Sequence, residues 1–278
     1  MNMLEMTNIS YGTSVFSVNK TIFDVLHSSF ITTAFGINMV LGLPANFYIL
    51  WLSVKEMIQG QSIKIFNVNG AFAEIIFCFA VCFVIPEYFF NCIECRLPVV
   101  FLGQFLLLSR PLFLSCICVE CYVGVLHPLI FLKLKPMKYR IALSATGWIF
   151  IISSCAIGTT GVIRYYNLLL PELLFFFFVK LYSCLMVLKA LLRPGPGDDV
   201  KKRSGANWDK IKAFQIILIL LVFSTLTYGP IFVSLVLYYI LDFEKFLLSW
   251  SISLTFGIML GILYPIVHLK TAGKLLFC

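Results

Sequence analysis

Seven apolar runs, each long enough to cross a bilayer as a helix, dominate this 278-residue chain. A hydrocarbon core about 30 Å thick needs roughly 20 residues rising about 1.5 Å each. Cut at its polar breaks, the sequence gives candidate spans over 28–53, 65–90, 98–126, 140–163, 170–192, 212–241 and 246–269. Within hydrocarbon each backbone N–H and C=O must be satisfied by its own segment, so runs of this length are helices. The expected fold class is all-α, a seven-transmembrane helix bundle. Composition agrees: 60% of residues are hydrophobic and 12% charged, more apolar side chain than a soluble domain of this length buries. Twenty-eight phenylalanines suit a surface solvated by acyl chains.

The net charge of +8 has two readings, nucleic-acid binding or the Lys/Arg bias of cytoplasmic loops, and distribution decides between them. Fifteen basic residues gather on one side: Lys55 and Lys64; Lys133, Lys135, Lys138 and Arg140; Lys189, Arg193, Lys201, Lys202, Arg203, Lys210 and Lys212; Lys270 and Lys274. Only Lys20, Arg96, Arg164 and Lys245 fall on the other, while Arg110 and Lys180 lie inside spans. Short basic loops stay in the cytoplasm, so the N-terminus is expected outside, the C-terminus inside, and nucleic acid is no partner. The sequons Asn8-Ile9-Ser10 and Asn19-Lys20-Thr21 fall on that outer side, making Asn8 and Asn19 candidate N-glycosylation sites.

The organisation expected is an extracellular segment over 1–27, the bundle over 28–269 and a short cytoplasmic tail over 270–278. The opening residues lack the basic start and small-residue cleavage site of a signal peptide, so the first span is read as an uncleaved anchor. The stretch from Arg193 to Asp199, rich in Pro and Gly and followed by a basic run, reads as a solvated loop between spans five and six. The tail is too short for much of an amphipathic helix, and Cys278, which is not in a prenylation box, is a candidate for acylation. No Cys/His spacing suits a metal and His27, His127 and His268 are scattered, so neither a cofactor nor an enzyme is expected. A transporter predicts inverted repeats, and none is visible.

Several motifs carry a resemblance. Gly42-Leu43-Pro44-Ala45-Asn46 lies in the first span, Phe66 to Glu74 in the second, and Glu120-Cys121-Tyr122-Val123-Gly124-Val125-Leu126-His127-Pro128-Leu129 ends the third. Trp148, Tyr228-Gly229-Pro230 and Tyr264-Pro265-Ile266-Val267-His268 follow in the fourth, sixth and seventh. In order and spacing the chain resembles the rhodopsin-like (class A) G-protein-coupled receptors, in the form common in their nucleotide-like and free-fatty-acid-like branch. The resemblance implies a plasma-membrane receptor that takes an extracellular ligand and presents Glu120, Cys121 and Tyr122 to a heterotrimeric G protein. It implies that Tyr228, Pro230, Tyr264, Pro265 and His268 stand where the family's activation switch lies. It also implies departures. Cys121 replaces the arginine that engages the G protein, so it cannot supply the charge that pairs with Glu120, and Tyr264 and His268 replace an asparagine and a tyrosine. The alternative is a signalling-silent relative, acting as a decoy or as the partner of another receptor.

Three buried or outer features invite specific readings. Glu74, at the family's sodium-binding position, needs a partner in the bilayer interior, and Arg110, nearly three turns above Glu120, is the candidate. The other reading of Arg110 is that it snorkels or meets a carbonyl near Pro111. Lys180 meets an anionic ligand or snorkels to the near interface. The family's usual outer disulfide has no cysteine to use between spans four and five, so Cys92 and Cys95 are free, paired with each other, or joined to another chain.

Overall fold

A computed structural model describes residues 22–59, 65–90, 92–134, 136–160, 165–192 and 200–271. Seven helices in it are long and apolar enough to cross a membrane: Val25–Glu56, Ile65–Phe90, Ile93–Leu126, Met137–Thr159, Tyr166–Leu192, Ala213–Leu237 and Phe243–Ile262. Beyond these spans and the helical stretches that extend some of them, the described residues form turns and one short helix, Pro128–Leu134, that opens with proline at its first position, where a missing N–H costs nothing. We refer to the seven as spans one to seven. The end carrying Lys55, Lys133, Lys138 and Lys189 is the basic end and the opposite one the far end.

Prolines shape the spans. Span one is interrupted by a π turn, Asn38–Gly42, directly before Pro44, whose nitrogen cannot donate to the carbonyl four residues back. Asn46 donates to the Gly42 carbonyl at 2.8 Å. A Cβ on Gly42 would lie 2.7 Å from Asn38 Oδ1, so glycine lets the Asn38 amide turn inward to Cys78 Sγ at 3.3 Å. Span two breaks between Ile65–Cys78 and Val81–Phe90, ahead of Pro86.

The helix of span six differs from the sequence reading. It begins at Val200, so the basic run Lys201-Lys202-Arg203 has helical backbone rather than loop. Beyond the Pro-Gly breakers, Lys, Arg and Ala are good helix formers and nothing stops the helix from starting early.

Packing follows the same logic throughout. Phe77, Leu108, Phe113, Ile151, Leu169, Ile231, Phe246 and Ile258 are almost wholly buried between spans, while Phe47, Trp51, Ile149, Phe175 and Val222 point outward. Apolar side chains therefore cover both the interior and the outer surface, the pattern of a bundle solvated by lipid.

Candidate functional site

Among the described residues, the acid–base contact deepest in the bundle joins spans two and three. Arg110 Nε lies 2.5 Å from Glu74 Oε1 and Nη2 lies 2.7 Å from Oε2, a two-point grip that only the planar guanidinium makes. Arg110 Nη1 donates to the Gly257 carbonyl of span seven at 3.3 Å. Both residues are buried, 6% and 8% exposed. Span seven makes room for the guanidinium with another glycine: a Cβ on Gly261 would stand 1.9 Å from Arg110 Nη1. The snorkelling reading of Arg110 does not describe this side chain, because its charged head points inward. A narrow cavity on the basic side of the pair is lined by Asn46, Phe66, Asn67, Gly70 and Phe113.

Lys180 of span five is also drawn inward, 1% exposed, and so does not snorkel. Its Nζ donates to Ser224 Oγ of span six at 2.5 Å and stands 5.9 Å from the ring centre of Tyr228. Among the described residues no carboxylate is in ion-pair contact with it. Nine residues separate Lys180 from Lys189, which is what suggested the interface; the facing Ser224 hydroxyl, invisible in the linear sequence, explains the inward turn.

At the basic end Glu120 forms an ion pair with Arg140, from the first turn of span four. Arg140 also stands 5.8 Å over the Phe131 ring of the short helix. Sequence reasoning counted Arg140 only as a loop cation and left Glu120 without its charge partner. The signal available was the short Pro128–Leu134 helix, which carries the chain back toward span three. Tyr122 contacts His127, ring centroids 5.8 Å apart, and Tyr182 of span five at 5.9 Å. Cys121 packs half-buried beside the cluster of Leu114, Cys118, Ile217 and Leu220.

At the far end His27 of span one hydrogen-bonds Ser251 of span seven, and its other ring nitrogen lies 3.2 Å from the Tyr88 hydroxyl of span two. Tyr166, Tyr238, Phe246 and Trp250 close the space between spans five, six and seven, with Tyr166 centroid distances of 4.8, 4.9 and 5.4 Å. Cys92 and Cys95 are bonded to each other.

No protein-family profile matches the chain. Proteinase-activated receptor 3 of Rattus norvegicus is 26% identical over 120 residues, 41% of this chain and 32% of that receptor. A purinoceptor of Gallus gallus is 26% identical over 151 residues, 52% of this chain and 41% of that receptor. The chain thus spans less than half the length of either relative. Both are class A receptors. The chain fits the rhodopsin-like (class A) receptor family.

The seven apolar helices and the likeness to these two receptors support a multi-pass plasma-membrane protein, and both relatives are receptors rather than enzymes. In that frame Trp148 ties spans two, three and four: its Nε1 donates to Asn69 Oδ1 at 2.7 Å, Asn69 donates to Ser144 Oγ at 3.2 Å, and the indole meets the Phe105 and Phe113 rings. Tyr228 is buried at 4% and Pro230 lies inside the span-six helix two residues on. Tyr264, Pro265 and His268 continue the span-seven helix, but their side chains lie outside the described residues, as do Asn8, Asn19 and Cys278 altogether.

Proposed function

We propose that this chain is a class A seven-helix receptor that carries an extracellular ligand signal across the plasma membrane, with its N-terminus outside and the basic end in the cytoplasm. The observation that carries the reading is the buried link from Glu74 through Arg110 to the Gly257 carbonyl, which joins spans two, three and seven. A receptor is a bundle with two packings, and a polar junction that must be kept, carried along or broken as spans shift is the kind of element a ligand biases. The ligand enters from the far end, between spans, and heterotrimeric G protein is the inner partner.

A second reading rests on its own observation. Cys121 supplies no guanidinium where the family uses one, and Glu120 is held by Arg140 instead. On that basis the chain is a signalling-silent relative that sequesters ligand or pairs with another receptor. G-protein activation in cells expressing the chain, with and without Cys121→Arg and with surface labelling of both, separates the readings. Signal from the natural chain supports an active receptor. Signal from the arginine variant alone identifies a silenced one, and surface expression with no signal from either overturns the signalling proposal.

A further inference from the structure

The bond between Cys92 and Cys95 sits where it does little to hold the fold. Its loop spans a sequence separation of 3, so it removes less freedom from the unfolded chain than a bond closing a long loop does. The turn it occupies is already fixed by backbone: Cys92 N–H donates to the Pro86 carbonyl and Cys95 N–H to the Cys92 carbonyl, each at 3.1 Å. The two half-buried cysteines stand at the far-end tip between spans two and three, beside Ile93 and Phe90, which are 86% and 77% exposed. The other described cysteines are placed differently: Cys78, Cys118, Cys155 and Cys184 are buried in the bundle, Cys116 and Cys121 are half-buried in span three, and exposed Cys82 lies within the hydrocarbon-spanning part of span two.

We propose that Cys92-Ile93-Glu94-Cys95 is a thiol–disulfide exchange site on the outer surface, whose substrate is an external thiol. Its placement outside rests on the orientation proposed above; the exchange chemistry does not. A thiolate attacks one cysteine sulfur, a new sulfur–sulfur bond forms as the Cys92–Cys95 bond breaks, and the electron pair leaves on the other cysteine, which takes up a proton. A second thiolate then attacks the mixed disulfide, releases the oxidised thiol as its disulfide and leaves the second cysteine to take a proton. Two thiols are oxidised and one protein disulfide is reduced. In an oxidising exterior the resting form is the closed bond.

The test uses the full chain at the surface of intact cells. Cells are treated with reduced glutathione or, separately, with reduced thioredoxin, then with a membrane-impermeant maleimide, and labelled peptides are read by mass spectrometry. Label at Cys92 and Cys95 is expected to rise at least about tenfold with one thiol source or both, and the more effective arm tells a small thiol from a protein dithiol. A Cys95→Ser chain treated instead with oxidised glutathione is expected to hold one glutathione on Cys92 as a stable mixed disulfide, with the other leaving as reduced glutathione, since the resolving sulfur is gone. A bond that resists both reductants in the native chain, yet is reduced by them after denaturation, overturns the proposal. Reduction that appears only in permeabilised cells keeps the exchange site and overturns the orientation.

Discussion

A charge taken into hydrocarbon is held by its partner, and removing either member of a buried pair leaves the other exposed to the full desolvation penalty. Glu74→Ala or Arg110→Ala is therefore expected to lower the stability of the purified chain by about 3–5 kcal/mol. The double change Glu74→Leu with Arg110→Met removes both charges and should recover most of that loss, read as thermal midpoints of all four chains in one detergent. Gly261→Ala tests the same junction from span seven. Its Cβ would lie 1.9 Å from Arg110 Nη1, so the guanidinium must leave its seat, and a cost of about 1–3 kcal/mol is expected from overpacking alone. Lys180 presents the opposite case. Its amine is buried with a serine hydroxyl for partner, so Lys180→Met is expected to leave stability unchanged or raise it by about 1 kcal/mol or more. A lower midpoint for that variant would show that the amine has an anionic partner in the native protein. Glu74 was legible as a residue needing a cation, because a carboxylate inside an apolar run has few ways to exist. The inward turn of Lys180 was not, since the hydroxyl that receives it lies 44 positions away on another span.

Elements were read well where periodicity and length act alone, and less well where breakers act at a distance. Apolar length located all seven spans, but the π turn before Pro44 and the break before Pro86 depend on which carbonyl loses its donor. The short Pro128–Leu134 helix escaped a reading based on apolar length because it has only one to two turns, yet it helps set Arg140 beside Glu120. The side chains of this pair are 12% and 28% exposed, so its stabilisation is that of a partly screened contact, about 1 kcal/mol. Arg140→Glu alone is expected to cost at least that much, and joining it to Glu120→Arg to restore the contact with reversed polarity. A thermal midpoint of the double variant no higher than that of Arg140→Glu would show that the two side chains do not interact in the folded protein.

For the whole molecule, the chemistry of the bundle was visible in the sequence while its closure at the far end was not. Tyr166, Phe246 and Trp250 lie on spans five and seven, and no linear pattern announces that they meet. Orientation rests on charge alone, fifteen basic residues against four, because the helices by themselves fit a bilayer equally well either way up. The two N-terminal sequons turn that asymmetry into a measurement. An outside N-terminus exposes Asn8 and Asn19 to the oligosaccharide-transferring machinery, which acts only on the lumenal side. The chain from cells is then expected to run faster on a gel after N-glycosidase treatment, and Asn8→Gln with Asn19→Gln to abolish that shift. An unshifted wild-type chain leaves the charge argument standing without this support, so the decisive arm places a new sequon in the loop between spans five and six. Modification there would put the basic loops outside and overturn the orientation, and with it the assignment of Glu120, Cys121 and Tyr122 to a cytoplasmic face.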